Sequence, residues 1–303
     1  MLYVAGFERP RRRLNAIMTS AHFLVIEGNI ASARAKYAAA SGGEPNQHYS
    51  GVLKHLCPGA LCEVVFPADG DVQPLRALGD YDGVVITGSS LNIHEKQPES
   101  LRQVELAQRV FKAQVPFFGS CWGLQVATVA AGGAVAHNPL GRELGIARRI
   151  LKTEAGMNHP LLEGRPLVYD ALAIHEDYVA RPPAGMTVLS GNDMAAVQAA
   201  EIIHEGGVFW GVQYHPEFSF TELAGILERI EPKLVEEGFF ASEPEIEEYA
   251  AHLRVIDMHP ERYDLAWRYG IEEDVVDADT RRLDISNWIR HQVLPRVKGR
   301  KRV

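Results

Sequence analysis

The chain has 303 residues, 46% hydrophobic and 23% charged, which is ordinary globular usage and enough for one large domain or a domain with an extension. A net charge of −8 argues against a nucleic-acid surface, and no apolar run reaches the length of a membrane span. Three cysteines, an odd number, suit a reducing cytoplasm better than a disulfide framework.

Taken in order, Arg11-Arg12-Arg13 precedes no apolar stretch of secretory type, so residues 1–20 read as a disordered leader with Met18 as an alternative start. Ordered structure is expected from His22–Ile26, a short buried strand closed by Glu27-Gly28-Asn29. Ile30–Ala40 reads as a helix stopped by Ser41-Gly42-Gly43. That triplet opens like a phosphate-cradling loop, but Glu44-Pro45 breaks the continuation, so it is a turn. His48–Leu56 fits a helix and Leu61–Phe66 a strand. Cys57 and Cys62 with His48 and His55 have the donors for zinc. However, Cys62 lies in an apolar strand pattern and free cysteine packs as a small hydrophobe, so no metal is assigned. Leu75–Leu78 reads as a short helix end, Tyr81–Thr87 as a strand running into Gly88-Ser89-Ser90, and Pro98–Ala113 as a helix.

The next stretch carries chemistry. An apolar run from Val115 ends at Gly119, and a helical apolar pattern (Leu124, Thr128, Ala131) begins after Trp122. Between them, Cys121 has a glycine two residues away on each side, the layout of a nucleophile elbow. Glycine clears space at the sharp strand-to-helix turn. The helix N-terminus favours negative charge, which suits a thiolate, and the N–H of Trp122 is left to face an oxyanion.

Arg142–Lys152, Pro166–Asp170, Ala173–Val179, Thr187–Ser190 and Ala195–Ala199 form a β-rich section containing His175-x-Asp177. Val208–Tyr214 is a further strand, closed by His215-Pro216-Glu217. Pro216 stops the ladder, so His215 leaves the strand end with Glu217 near enough to orient its ring. Beyond Phe218 the chain turns helical: Leu223, Ile226, Leu227, Ile230 and Leu234 share one face, followed by Glu243–Leu253, Tyr263–Tyr269, Leu283–Val293 and a solvated basic tail, Lys298–Arg302.

Cys121-x-Gly123-x-Gln125 followed much later by His215-Pro216-Glu217 resembles the class I glutamine amidotransferases, and the glutaminase domain of GMP synthases in particular. The resemblance implies a three-layer α/β fold with a mostly parallel, doubly wound flavodoxin-like sheet. It covers residues 21–238, with 239–303 a helical carboxyl-terminal extension. It implies Cys121, His215 and Glu217 as catalytic triad, N–H groups of Gly88 and Trp122 as oxyanion hole, and Gln125, Ser89 and the His175 loop as contacts to substrate. Glutamine would be hydrolysed through a thioester on Cys121 without a cofactor, and its ammonia passed to a separate synthetase subunit. Two other readings stay open: a stand-alone γ-glutamyl peptide or amide hydrolase with the same chemistry, and a non-catalytic regulatory module.

Overall fold

The computed structural model describes residues 20–300, so the expected leader lies outside the described residues. The chain opens with β1 (His22–Ile26), α1 (Ala31–Ser41), α2 (Pro45–Leu56), β2 (Leu61–Val65), β3 (Gly83–Ile86), α3 (Pro98–Ala113), β4 (Phe117–Ser120) and α4 (Trp122–Ala130). These strands are apolar on both faces because both are covered. Phe23 and Val25 of β1 pack with Val85, Phe118 and Trp210 on one side, and Leu24 and Ile26 with Val84, Ile86 and Phe209 on the other. Strands buried this way and joined by helical crossovers pair in parallel.

The second half adds β5 (Ala134–His137), β6 (Glu143–Lys152), a one-turn α5 (Glu154–Asn158), β7 (Val168–His175), β8 (Asp177–Arg181), β9 (Met186–Gly191), β10 (Ala199–His204) and β11 (Gly207–Val212). The sheet order is β2-β1-β3-β4-β11-β10-β9-β6-β7, with β5 and β8 forming a separate pair. Pairing is parallel from β2 across to β11 and antiparallel beyond it. The expected three-layer α/β arrangement with a helical carboxyl-terminal region is what forms.

The last helices are α6 (Phe220–Arg229), α7 (Glu231–Glu236), α8 (Glu243–Met258) and shorter turns ending in Leu283–Trp288 and Leu294–Arg300. Ile246, Ala250 and Leu253 of α8 pack on Leu223 and Leu227 of α6. The 283–297 segment reaches further, because Ile285, Trp288, Ile289, Val293 and Val297 join the core on the α2 face of the sheet. Trp288 lies against Phe23 and Phe118, with ring centroids 5.8 and 5.6 Å away, and a Cβ at Gly83 would come within 2.7 Å of its ring. Arg165, just before β7, pairs with Asp284 at 2.7 Å with 1% and 0% of the side chains exposed. Residues beyond Gly238 therefore supply part of the covering layer of the sheet. No helix among the described residues is long and apolar enough to cross a membrane.

Several elements differ from expectation for identifiable reasons. Leu75–Leu78 is not a helix end; a single 3-10 turn occupies Leu78–Asp80. Ala195–Ala199 is mostly loop, because the Asn192 side-chain oxygen accepts from the N–H groups of Met194 and Ala195 and turns the chain, so the strand starts at Ala199. The stripe from Leu223 to Leu234 is broken at Ile230, with Pro232 in the first turn of α7. The described part of the basic tail is exposed as expected, and Arg300 within it also donates to the carbonyls of Gly79, Asp80 and Tyr81.

Candidate active site

β3, β4 and β11 lie side by side with Ile86 opposite Gly119, Gly119 opposite Gly211 and Ser120 opposite Val212. The chain therefore leaves all three strands at one edge of the sheet, and Gly88, Cys121 and His215 come just after those exits. Cys121 sits between β4 and α4 with φ 48° and ψ −98°, a backbone state that costs a side-chain-bearing residue about 1–3 kcal/mol. Its N–H donates to the Val212 carbonyl at 2.7 Å, which ties the elbow to β11. The flanking glycines are needed for contact. A Cβ at Gly119 would come 2.7 Å from Cα of Gly123, and one at Gly123 3.1 Å from the Ile86 carbonyl oxygen. The Cys121 Sγ lies 3.8 Å from the Ile174 carbonyl oxygen. Trp122 opens α4, so its N–H has no acceptor within the helix.

The His215 N–H donates to the Leu172 carbonyl at 2.7 Å, its Nδ1 lies 2.7 Å from Glu217 Oε1, and its ring stacks on Phe218 at 3.9 Å and 5°. A Cβ at Gly88 would come 2.9 Å from His215 Cε1, so the ring is held at that edge as well. Burial opposes charge on this imidazole. The Glu217 carboxylate and the nearby Cys121 thiol outweigh it, and the pKa is pushed up to about 10. The structure thus brings Cys121, His215 and Glu217 to one cavity, with His215 and Glu217 in direct contact.

The Gly88 loop is braced from behind. Asn29 Nδ2 and Thr87 Oγ1 both donate to the Gly88 carbonyl, at 3.0 and 3.1 Å. Beneath them, the buried Glu27 carboxyl accepts from the N–H groups of Asn29 and Asn46 and from both their side chains. Burial raises the Glu27 pKa against these bonds, which lower it. Among the described residues the Gly88 N–H donates to no backbone carbonyl.

A cavity of about 270 Å³ opens above Cys121, with Gly88, Gln125 and His215 in its floor and, in its roof, Glu222, Ile226 and Arg229 of α6, Ile230 at the junction and Lys233 of α7.

A model of the class I glutamine amidotransferases matches residues 57–230, which include Cys121, His215 and Glu217. The chain belongs to this family. It is 36% identical to a γ-glutamyl-L-1-hydroxyisopropylamide hydrolase of a Pseudomonas species over 93% of this chain and 96% of that protein. It is 29% identical to the glutamine-hydrolysing GMP synthase subunit of Saccharolobus solfataricus, over 60% of this chain and 88% of that subunit. Among solved structures, a glutamine amidotransferase from Thermotoga maritima shares the fold at 17% identity, covering 89% of this chain and 98% of that one with a TM-score of 0.62.

Within this class I amidotransferase the other residues picked out from sequence stand differently. Gln125 lines the cavity, and its Nε2 donates to the Asp177 carbonyl at 3.3 Å, leaving its oxygen unengaged by that bond. Ser89 also lines the cavity, but its hydroxyl donates to the Gly28 carbonyl and accepts from the Leu91 N–H, so it serves the loop. Both ring nitrogens of His175 are occupied, Nδ1 by the Asp177 carbonyl at 3.0 Å and Nε2 by Glu143 at 2.8 Å; what this residue offers a ligand is its backbone. The drawn zinc set disperses: His48 pairs with Glu222, while Cys57 sits in the core. Glu27, Asn29, Glu222 and Arg229 have no motif around them, and sequence reasoning passed over them as site residues.

Proposed function

We propose that this chain is a stand-alone hydrolase of small γ-glutamyl amides, acting through a thioester on Cys121. One observation carries the choice over a glutaminase subunit. The similarity to the γ-glutamyl-L-1-hydroxyisopropylamide hydrolase extends over 93% of the chain, more than residues 1–238 can supply, so it takes in carboxyl-terminal helices. The cavity supports the same reading, since about 270 Å³ suits a small molecule rather than a polymer.

In this mechanism the Cys121 thiolate attacks the γ-amide carbon. The oxyanion that forms is met by the N–H groups of Gly88 and Trp122, a donor of this kind lowering the barrier by about 3 kcal/mol. With a pKa of about 10, His215 is protonated near neutral pH and gives its proton to the departing nitrogen as the C–N bond breaks. Glu217 orients the ring through Nδ1. Neutral His215 then takes a proton from water, whose oxygen attacks the thioester carbon. Glutamate leaves, and the thiolate–imidazolium pair is restored.

A second reading has one observation in its favour: the match to the GMP synthase subunit spans 88% of that subunit. Glutamine would then be the substrate and ammonia the product for a separate synthetase. Turnover of glutamine and of γ-glutamyl hydroxyalkylamides by the purified full chain separates the two. The expected result is a kcat/KM for the amides at least roughly tenfold above glutamine, the discrimination that one or two methylenes in an apolar pocket provide. A preference for glutamine returns the subunit reading. Turnover of neither favours a regulatory module.

A further inference from the structure

We infer that Arg229 is the residue of the cavity that recognises a carboxylate of the substrate, and that in γ-glutamyl amides of uncharged amines this is the α-carboxylate of the glutamyl group. The inference rests on the hydrolase reading for the identity of the substrate, but not for the chemistry at Arg229.

Besides His175 and His215, three basic side chains line the cavity: Arg142, Arg229 and Lys233. Two are already neutralised within the protein. Arg142 is paired with Glu176 and, at 2.8 Å, with Glu237, and Lys233 is paired with Glu176. Among the described residues Arg229 makes no hydrogen bond to a protein acceptor and no ion pair. Among the described residues none of the cavity's carboxylates pairs with Arg229, and Asp177 lies 3.0 Å from His94 instead. Glu222 receives Tyr37 at 2.9 Å, His48 at 3.1 Å and the N–H of Ser219, and Glu217 receives His215. Among the described residues the guanidinium of Arg229 is thus left without an ion-pair partner.

An arginine in the last turn of a helix is ordinarily a solvated complement to the helix dipole. Arg229 departs from that pattern in position. It follows Glu222 and Ile226 at seven and three residues, on the cavity-facing side of α6. Burial also lowers its pKa from the usual arginine range. Guanidinium does not release its proton in proteins, so a half-buried and unpaired one is relieved by an anion rather than by neutralisation. Its planar fork fits a carboxylate through two parallel N–H···O bonds. A γ-glutamyl amide offers such a group on the glutamyl α-carbon. A γ-glutamyl amino acid offers a second on its leaving amine. The hydroxyisopropylamide named for the Pseudomonas relative has none on the amine, which leaves the α-carboxylate.

The test uses Arg229→Gln and Arg229→Lys in the full chain and has two parts. Calorimetric titration with L-glutamate and with γ-aminobutyrate, the same skeleton without the α-carboxylate, reads recognition without turnover. Wild type is expected to bind glutamate roughly 10–100-fold more tightly, the range for a charged hydrogen-bonded contact. Arg229→Gln should erase that difference and Arg229→Lys should keep part of it. Hydrolysis of γ-glutamylethylamide and γ-glutamylglycine then reads the source. A rise in KM for both with Arg229→Gln, with kcat changed little, assigns Arg229 to the α-carboxylate. A rise confined to γ-glutamylglycine assigns it to the leaving amine. Absence of any carboxylate dependence on Arg229 in both assays overturns the inference. Failure of wild type to hydrolyse either amide counts against the hydrolase reading, and the titration still decides the role of Arg229.

Discussion

Floor and roof of the cavity differ in what holds their functional atoms. In the floor, the groups that are held belong to the backbone. Cys121 is pinned through its N–H by Val212 of β11, His215 through its N–H by Leu172 of β7, and the Gly88 carbonyl by the side chains of Asn29 and Thr87. In the roof the groups are side chains of α6 and α7, two helices interrupted at Ile230, and their places depend on rotamers and ion pairs. Chemistry that tolerates little misplacement sits where packing over-determines it. On the proposed reading, selection among substrates falls to the wall that can change residue by residue without disturbing the sheet.

Floor substitutions should therefore lower kcat. Cys121→Ala and His215→Ala are expected to cost the most, about 10⁵–10⁶ in kcat by analogy with other triads, with little change in thermal unfolding. A Cys121→Ala enzyme within tenfold of wild type would break the comparison. Gly88→Ala comes next. Its Cβ would crowd His215 Cε1 at 2.9 Å, so a loss of about 10² in kcat is expected with KM little altered. A change in KM alone would place Gly88 with the roof instead.

The comparison also explains what sequence could reveal. Cys121 and His215 were legible because tight turns demand particular neighbours: Gly119 and Gly123 to let α4 approach β3 and β4, and Pro216 to end a ladder. The parallel strands were legible as short apolar runs. Ala199–His204 was not, since Glu201 and His204 interrupt its pattern and Asn192 turns the chain ahead of it. Arg229 was invisible for a different reason. An arginine ending an amphipathic helix looks solvated until the fold shows what that face meets. Glu27, which comes after an apolar strand, likewise gives no hint that two asparagines from separate segments will converge on it.

Smaller effects should come from outside the cavity. Asp284→Asn leaves Arg165 buried without its counter-charge and is expected to lower stability by about 3–5 kcal/mol, with kcat preserved where the protein remains folded. Unfolding in urea checks this. A change below about 1 kcal/mol would mean that the 283–297 segment is docked more loosely than its burial implies. The last effect is pH-dependent. Because the folded-state pKa of His215 is raised from 6.5 to about 10, the protonated ring stabilises the fold fully below pH 6.5. That contribution fades as pH rises towards 10. The stability difference between wild type and His215→Gln should accordingly shift against the wild type across that window. A difference independent of pH would contradict the pairing with Glu217.

The central claim is a γ-glutamyl thioester on Cys121, and acid quenching during turnover of a γ-glutamyl amide, followed by peptide mass mapping, tests it most directly. The expected result is a γ-glutamyl adduct on the Cys121 peptide alone, since burial pushes the thiols of Cys57 and Cys62 up and disfavours their thiolates. Turnover with no adduct at Cys121, or an adduct on Cys57 or Cys62, would contradict it.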